Sequence, residues 1–404
     1  MTPTLPEGDP APADGVLPPA ALAEVPVTPL SIYVHVPFCA TRCGYCDFNT
    51  YTAAELGAAP GSSREAYLGA VSAEIALAAS VLGPDVPEVS TVFFGGGTPT
   101  LLAASELVGL LDAVRTTWPL AADAEITTES NPESVDGAYL AELRAGGFNR
   151  ISFGMQSAVP SVLARLDRRH TPGRVPEVMA AARAAGFASV SLDLIYGTPG
   201  ETLADWEASV RAVLAAGPDH VSAYALALEP GTRMAAQIGR GVMPPIDPDT
   251  QADSYELVDA MLTGAGMNAY EISNWAARGH ECRHNLAYWR GWTWWGFGPG
   301  AHSHAGGVRW WNVKHPATYA GRLASGQSPA AAREVLDAEE RRTERILLEI
   351  RIADGLPAGV LSATESARVP SLVARGLVSV DDARLRLTPR GRLLADAVVR
   401  ELLD

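Results

Sequence analysis

Short apolar runs alternate with longer amphipathic stretches along the first 230 residues. The short runs are rich in β-branched and aromatic residues, which is typical of strands, and fall at 31–36, 89–94, 124–129, 150–153, 189–195 and 220–225. Apolar residues at helical spacing fill the intervals, at 64–82, 103–117, 136–145, 159–186 and 203–216. This alternation predicts βαβ units around a parallel sheet. Six strands are too few for a closed eight-stranded barrel, so we expect an α/β fold with an open, partial (β/α)6 barrel.

The pattern changes near residue 337. Helical spacing over 339–352 and 363–376 is followed by alternation at 384–387 and by a final helical stretch over 390–403. Two helices, a two-stranded wing and a helix resemble a winged-helix unit, and arginines stand at 384, 386, 390 and 392. The net charge of −15 argues against general nucleic-acid binding, and basic side chains on a wing also serve solubility. We expect a C-terminal winged-helix-like domain over 337–404 and no nucleic-acid partner.

The composition allows one large core with one or two smaller domains, because 47% of the 404 residues are hydrophobic and 19% are charged. Residues 1–30 contain eight prolines and no lysine or arginine, so they lack the features of a secretory signal or a transit peptide. No run approaches the ~18–20 apolar residues of a membrane span. We predict a flexible Pro-rich leader over 1–30, a cytoplasmic protein and no integral membrane segment.

Three of the four cysteines, Cys39, Cys43 and Cys46, fall within eight residues directly after the first predicted strand. Pro37 ends that strand, so the cysteines lie on a loop at its carboxyl end. Thiolates suit iron–sulfur clusters and zinc, and a cubane cluster held by three cysteines keeps one iron open to another ligand. The alternatives are a zinc site completed by Cys282, or cysteines that serve as small apolar residues. An odd trio without a secretory signal argues against a disulfide.

Polar or glycine-rich residues stand at the carboxyl ends of five consecutive predicted strands, where barrels of this kind carry their chemistry. The second strand runs into Gly95, Gly96 and Gly97, followed by Thr98. No Gly-Lys-[Ser/Thr] follows, so this is not a phosphate-binding P-loop. Three glycines permit close approach of a ligand, whereas a tight strand-to-helix turn needs only one. Glu129, after the third strand, suits contact with an ammonium or a ribose hydroxyl; a solvated charge is its alternative.

Six strings together resemble the radical S-adenosylmethionine (SAM) superfamily, and within it the coproporphyrinogen III dehydrogenase-like branch that includes the HemW haem chaperones. They are HVPFCATRCGYCDFNTY, FFGGGTPTLL, ISFGMQS, DLIYGTPGET, EISNWAARGHECRHNLAYW and GFGPGAHS, and the resemblance runs from about residue 31 to the C-terminus. It implies a [4Fe–4S] cluster on Cys39, Cys43 and Cys46, whose open iron is chelated by the amino and carboxylate groups of SAM. It further implies cofactor contacts by Tyr33, Tyr45, Gly96, Gly97, Thr98, Glu129, Gln156, Arg168 and Asp193.

One of these assignments competes with a simple structural explanation. Arg168 falls in a predicted helix beside Arg165 and Arg169, where an ordinary solvated face would give the same pattern.

Two features separate the classes within this branch. The coproporphyrinogen III dehydrogenases carry a fourth cysteine two positions after the third, where this chain has Phe48, and a longer N-terminal segment that helps to cover the active site. HemW proteins resemble this chain in having phenylalanine there and in a His-Asn-x-x-Tyr-Trp string, which spans residues 284–289. We therefore expect a haem chaperone that delivers haem to an unidentified acceptor protein. A dehydrogenase-type radical enzyme, or a radical SAM enzyme with an unrelated substrate, is the alternative.

Residues 288–311 hold eight aromatic residues, among them six of the nine tryptophans. Haem needs a flat apolar surface and an axial ligand such as histidine, cysteine or tyrosine. His284 is the candidate haem ligand and Cys282 is a second one. The alternative is that the tryptophans only pack a subdomain against the barrel, and the string GFGPGAHS at 296–303 could close over the SAM site. We assign 31–230 to the barrel and 231–336 to an aromatic-rich extension.

Overall fold

The computed structural model describes residues 6–57, 61–168, 171 and 173–404; Arg169 lies outside them. Its main sheet contains thirteen strands within the described ranges. They are β1 (Asp9–Pro10), β2 (Leu30–Val36), β3 (Val89–Gly96), β4 (Leu120–Ser130), β5 (Arg150–Gln156), β6 (Ser189–Tyr196), β7 (His220–Ala225), β8 (Asn268–Ala269), β9 (Asn274–Ala276), β10 (Thr293–Phe297), β11 (His302–Ala305), β12 (Val308–Asn312) and β13 (Ala330–Val335).

The six predicted strands β2 to β7 are adjacent and parallel, which confirms the predicted α/β sheet. β10 adds a further parallel strand beside β2, and β11, β12 and β13 continue the sheet with antiparallel pairing. At the opposite edge β9 pairs antiparallel with β7. The aromatic-rich extension therefore enlarges the same sheet on both edges of the barrel.

Helices cover the outer face of the barrel strands. The helices before the C-terminal unit are α1 (Pro19–Glu24), α2 (Ala53–Leu56), α3 (Arg64–Leu82), α4 (Ala104–Thr117), α5 (Gly137–Ala145), α6 (Pro160–Arg165), α7 (Arg174–Ala185), α8 (Leu203–Ala216), α9 (Arg233–Gly239), α10 (Pro248–Gly264), α11 (Arg283–Trp289) and α12 (Pro316–Ala324). Side chains alternate along each strand, so apolar residues such as Ile32 and Phe94 pack against the helices while Tyr33 and Phe93 face the lumen.

The described part of the leader is packed, and the prediction of a flexible leader is wrong for it. β1 pairs antiparallel with β13, and Leu17, Ala21 and Val25 are buried in the main core. Ala21 lies on α1, Leu17 directly before its N-cap Pro18 and Val25 directly after its end, so the three apolar side chains lie along this short segment. The many prolines predict a flexible segment, and the apolar pattern is too short to indicate a helix on its own.

The predicted helical region over 159–186 is two helices, α6 and α7, and Arg168 lies between them rather than on a helix. Leu166 and Arg168 form backbone hydrogen bonds to Val162 and Leu163 that close the last turn of α6. The change of direction removes Arg168 from a continuous helix surface.

The C-terminal unit has a core of its own that includes Ile346, Leu372, Leu385 and Val398. Its elements are α13 (Ala338–Glu349), β14 (Leu356–Pro357), α14 (Ala363–Ser366), α15 (Val369–Ala374), β15 (Val378–Asp381), β16 (Arg384–Leu387), α16 (Pro389–Leu393) and α17 (Ala395–Leu403). The order of helices and wing is as predicted, but the predicted helices over 363–376 and 390–403 are each divided into two, and β14 adds a third strand to the wing.

One described helix, α3, is long and apolar enough to cross a membrane by length and composition alone. Its buried face, which includes Tyr67, Val71 and Ile75, packs into the main core, and it also buries the carboxylate of Glu74. The packing identifies α3 as a covering helix of the barrel.

Candidate functional site

The barrel encloses a cavity of about 2210 Å³. It extends from the carboxyl ends of the strands into the lumen, where it reaches Arg150 and His220, the first residues of β5 and β7. All the predicted site residues line it: Tyr33, Cys39, Cys43, Tyr45, Cys46, Gly96, Gly97, Thr98, Glu129, Gln156, Arg168, Asp193 and His284. The structure thus brings residues from five strands, three connecting segments and the helix α11 into one compartment.

The cysteine loop, residues 38–51, is closed at its base by backbone hydrogen bonds. The amide of Cys39 donates to the Tyr51 carbonyl (2.9 Å), and the amide of Tyr51 donates to the Pro37 carbonyl (2.7 Å). Within the loop the amide of Cys46 donates to the Cys43 carbonyl at 3.3 Å. All three thiols are free and partly exposed to the cavity. Burial raises the pKa of the Cys46 thiol to about 11 in the metal-free protein, and the neighbouring cysteines add to this.

The glycine segment lies directly against the cysteine loop. The amide of Gly97 donates to the Val36 carbonyl (2.8 Å), and the amide of Thr98 donates to the Phe38 carbonyl (2.8 Å). A Cβ on Gly97 would stand 2.4 Å from the Phe38 oxygen and 3.1 Å from Cys39 Sγ. The close approach at Gly97 requires the absence of a side chain, and a Cβ on Gly96 would likewise stand 2.6 Å from the His35 ring, so more than one glycine of this segment is needed.

A second contact holds the opposite side of the cysteine loop. The amide of Met234 donates to the Gly44 carbonyl at 2.8 Å, and a Cβ on Gly44 would stand 2.4 Å from Asp167 Oδ2. Asp167 also pairs with Arg233. The start of α9 and the link after α6 therefore both contact the loop between its second and third cysteines.

The string GFGPG supports the cysteine loop from behind. The side-chain amide of Asn49 donates to the carbonyls of Pro299 and Lys314, at 2.9 Å each, and a Cβ on Gly298 would stand 2.5 Å from the His35 carbonyl oxygen. Residues 296–303 do not line the cavity. The prediction that this string could close over the SAM site is therefore wrong, because its glycines accommodate the protein's own backbone.

The three thiols fit a cluster better than a single metal ion. No group of three or more His, Cys, Asp or Glu side chains within the described ranges is arranged to hold one metal ion. Cys282, the proposed fourth zinc ligand, is buried beside the first turn of α11, and its Sγ lies 3.5 Å from Glu125 Oε1. The zinc alternative therefore lacks its fourth ligand, whereas three accessible thiols match a cubane with one open iron.

Two carboxylates face the cavity below the glycine segment. Oε2 of Glu129 accepts the amide of Gly96 at 3.0 Å, and both oxygens of Asp193 accept the Ser152 hydroxyl at 2.8 and 2.9 Å. Burial raises the pKa of Glu129 to about 8, and the charge of Asp193 contributes to the rise. Burial also raises the pKa of Asp193. These acceptors suit the amino, ribose and sulfonium groups of SAM.

Gln156 and Arg168 complete this wall. Gln156 ends β5 with a φ of +64°, next to a register shift in the pairing with β6, and such left-handed backbone in a non-glycine residue is concentrated at functional sites. A Cβ on Gly154 would stand 2.8 Å from Gln156 Nε2 and 3.4 Å from Arg168 Nη2. Arg168 also contacts the Tyr45 hydroxyl. The arginine therefore lines the cavity, and the alternative of a solvated helix face is wrong.

His284 lies deeper in the lumen, and both of its ring nitrogens have partners. Nδ1 is 2.7 Å from Thr91 Oγ1, Nε2 is 2.8 Å from Tyr288 Oη, and the ring stacks on Phe93 with centroids 5.1 Å apart. Burial lowers the pKa of His284 to about 3, so the ring is neutral. An iron atom could bind Nε2 only after the Tyr288 hydroxyl moves away.

The tryptophans divide into two groups. Trp295 and Trp310 pack in the main core with centroids 4.8 Å apart, and Trp311 is equally buried, so their role is structural. Trp294 is partly exposed, and its ring centroid lies 4.9 Å from that of Tyr288 and 4.9 Å from that of His304. The structural alternative for the aromatic segment thus holds for the buried group.

Several lumen residues were missed by the sequence reasoning. They are Arg150, Ser152, Ser222, His220, Tyr224, Tyr270 and Asn285. The signal was present in the string RISFGMQ, because every second residue of β5, from Arg150 to Gln156, faces the cavity.

The comparisons with known proteins agree with this geometry. The radical SAM superfamily model matches residues 33–213, and the HemN C-terminal domain model matches residues 336–394. The heme chaperone HemW of Mycobacterium tuberculosis is 54% identical over 95% of this chain and 97% of its own length. HemW of Bacillus subtilis is 34% identical (91% and 97% covered), and HemW of Escherichia coli is 33% identical (94% and 99% covered).

Among solved structures, the radical SAM enzyme coproporphyrinogen III oxidase (HemN) from Escherichia coli superposes with a TM-score of 0.79 at 26% identity. The match covers 95% of this chain and 92% of that one. The barrel and the C-terminal domain of the two proteins therefore share one architecture. The full-length similarity shows that this chain belongs to the HemW family within the radical SAM superfamily.

Proposed function

We propose that the protein is a haem chaperone, which binds haem and transfers it to an acceptor protein and which carries a [4Fe–4S] cluster and SAM. The observation that carries this proposal is the 54% identity with a named heme chaperone over 95% of the chain. The site adds support, because three free thiols and a cavity of about 2210 Å³ leave room for both a cofactor and a cargo. We place this activity in the cytoplasm.

The cluster would be held by Cys39, Cys43 and Cys46 and would supply an open iron for SAM. We assign the polar wall formed by Glu129, Gln156, Arg168 and Asp193 to SAM, together with Tyr33, Tyr45 and the segment Gly96–Thr98. In this assignment the glycines admit the ligand to the backbone, and the carboxylates accept its N–H and O–H groups. We further propose that cluster and SAM act as a gate for haem loading rather than as a catalyst.

Two observations favour the chaperone over a dehydrogenase. Phe48, at the position of the dehydrogenases' fourth cysteine, is 59% exposed at the rim of the cavity, so no thiol stands there. Residues 6–30 pack toward β13 and none of them lines the cavity. The described residues of the leader therefore do not help to enclose the cavity, which favours the chaperone.

Haem binding tests the proposal. The anaerobically reconstituted protein is titrated with haem while the Soret band is followed; we expect saturable one-to-one binding. His284→Ala is compared with His315→Asn, in which an exposed histidine that caps α12 is replaced by another good capping residue. A selective loss in His284→Ala would make His284 the axial ligand. Absence of saturable binding would contradict the chaperone function.

The alternative function is radical oxidative decarboxylation of a porphyrinogen, and the TM-score of 0.79 with coproporphyrinogen III oxidase favours it. Cleavage of SAM that depends on added coproporphyrinogen would support this alternative. SAM that stays bound and intact in the presence of the porphyrinogen would support the chaperone.

A further inference from the structure

A guanidinium group is buried in the lower lumen with part of its hydrogen-bonding capacity unused. Arg150, the first residue of β5, is 3% exposed. Its Nη1 donates to Ser189 Oγ at 2.8 Å and to the His280 carbonyl at 2.9 Å. Nε and Nη2 have no acceptor within the described ranges, and neither atom is sealed from the cavity. Such a buried cation is costly unless its remaining donors find a partner.

The nearest carboxylates are already engaged. Glu125 accepts the amides of Arg283 (3.1 Å) and His284 (3.0 Å), and Asp193 accepts the Ser152 hydroxyl. Both stay within Coulombic range of Arg150, but neither forms a hydrogen bond with its guanidinium. The charge of Arg150 is therefore partly balanced, while Nε and Nη2 have no hydrogen-bond partner among the described residues in this part of the cavity lining.

Neutral polar groups surround this space. Tyr270 Oη is 2.9 Å from His220 Nε2 and 3.3 Å from Asn285 Nδ2, and all three side chains line the cavity with Arg150. His220 Nδ1 is in turn 2.8 Å from Ser191 Oγ, so the imidazole is fixed between two neutral partners. Within the described ranges, no carboxylate forms a hydrogen bond with the guanidinium of Arg150.

We propose that Arg150, with the Tyr270–Asn285 pair beside it, forms a carboxylate-binding subsite at the floor of the lumen, which receives a carboxylate side chain of the tetrapyrrole cargo. This inference rests on the proposed haem-binding function. Nε and Nη2 of an arginine are parallel donors that match the two oxygens of a carboxylate, and such bidentate pairs are strong and directional.

The length of the strand separates this subsite from the cofactor region. Arg150 and Gln156 are six residues apart on β5, and strands rise by about 3.3 Å per residue, so Arg150 lies about 20 Å from Gln156 along the strand, with Asp193 of the SAM wall between them beside Ser152. Between them the cavity is lined by aromatic side chains, among them Phe93 and Tyr288. A flat apolar ligand with acidic substituents fits a space that is aromatic at its walls and cationic at one end.

The decisive experiment compares haemin with haemin dimethyl ester, in which both carboxylates are blocked. Both are titrated into the cluster-loaded protein while the Soret band is followed. We expect the wild type to bind haemin about tenfold more tightly than the ester, because the ester cannot form the charge-assisted hydrogen bonds between a carboxylate and Arg150. Arg150→Gln should reduce the affinity for haemin to that for the ester and leave the affinity for the ester unchanged.

The wild-type comparison needs no variant, so the inference stays testable even if Arg150→Gln does not fold. Equal affinity of the wild type for haemin and its ester would overturn the subsite and leave the chaperone function intact. Equal weakening of both ligands in Arg150→Gln would also overturn it and make Arg150 a purely structural link to His280. No haemin binding by the wild type would overturn the proposed function and the subsite together.

Discussion

The two ends of the lumen are built in opposite ways. At the mouth, small residues and backbone hydrogen bonds hold the cysteine loop against Gly97 and Thr98, and reactive side chains face open space. At the floor, buried side chains such as His284 are fixed by hydrogen bonds to one another, while Arg150 keeps donors without a partner among the described residues. A cofactor that must be assembled from iron and sulfide needs accessible ligands, whereas a pocket for a preformed ligand can be fixed by side-chain networks before binding. The difference implies that the shape of the mouth depends on backbone geometry, whereas the shape of the floor depends on individual side-chain hydrogen bonds.

The largest effect that we expect is on cluster binding, and it should differ between a cysteine at the mouth and the cysteine at the floor. Cys43→Ala should abolish stable cluster binding, because a cubane cannot be held by the two remaining thiolates. Cys282→Ala is the matched control, since that thiol is buried at the floor, where its Sγ lies 3.5 Å from Glu125 Oε1. Iron and sulfide content after anaerobic reconstitution checks both. Equal cluster content in Cys43→Ala and the wild type would show that the cysteine loop does not bind the cluster.

The same comparison tests the proposed gate. If haem loading and transfer are unchanged when Cys39, Cys43 and Cys46 are all replaced by alanine, cluster and SAM do not control the cargo. We expect haem transfer to become independent of SAM in that variant.

A backbone contact at the mouth gives the second prediction. Gly97→Ala places a Cβ 2.4 Å from the Phe38 oxygen, so the cysteine loop must shift. We expect a loss of about 1–3 kcal/mol in stability, the usual range for overpacking, and poor cluster loading. Gly109→Ala on α4, where a Cβ meets nothing within 4 Å, should be neutral or stabilise by up to about 1 kcal/mol. Thermal unfolding and iron content distinguish the two, and similar behaviour of both variants would contradict the close contact.

Much of the mouth was predictable because its residues are contiguous in the sequence. The cysteines and the glycines each form one short string directly after a strand, so a correct strand assignment places them at the same end of the sheet. Arg150 and Tyr270 were not predictable in this way, since they lie far apart in the chain and meet only through the closure of the barrel. Strand alternation shows that two faces differ, but it does not show which face turns inward.

The sheet extension was missed for a related reason. Trp294 and Trp295 lie within β10, and tryptophans are typical both of ligand-binding surfaces and of strands, so their presence does not by itself predict strand pairing. β10 joins β2 in parallel, with Trp295 opposite Ile32. A parallel pair of strands more than 250 residues apart leaves no local turn signal in the sequence.

A buried carboxylate behind the mouth provides the third prediction. Glu74 accepts hydrogen bonds from the amide of Gly298 (2.9 Å), from Asn312 Nδ2 (2.7 Å) and from the Tyr319 hydroxyl. Burial nevertheless raises the pKa of Glu74 to about 7. Between pH 4.5 and 7 the folded protein therefore binds more protons than the unfolded chain, so this group's contribution to the free energy of unfolding decreases as the pH rises through that window.

We expect the decrease from Glu74 to amount to about 2–3 kcal/mol between pH 5 and 8, because the folded protein holds one extra proton over roughly two of those pH units. Glu74→Gln cannot ionise, so its stability relative to the wild type should improve as the pH rises. Thermal unfolding of both proteins at several pH values measures this difference. A constant difference across the range would show that Glu74 keeps one protonation state.

The smallest effect concerns the hydrogen bond that closes the floor. In the wild type the Tyr288 hydroxyl occupies Nε2 of His284, and a haem iron must displace it before it can bind that nitrogen. Tyr288→Phe removes the competitor and keeps the ring, so haem coordination by His284 should strengthen about fivefold, as expected for one hydrogen bond of about 1 kcal/mol. Tyr255→Phe is the matched control, because that hydroxyl is buried without a partner in the described part of the chain and does not line the cavity. Weaker haem binding in Tyr288→Phe would mean that the tyrosine itself contacts the cargo, and the floor would then bind haem through its hydroxyl network rather than through the imidazole.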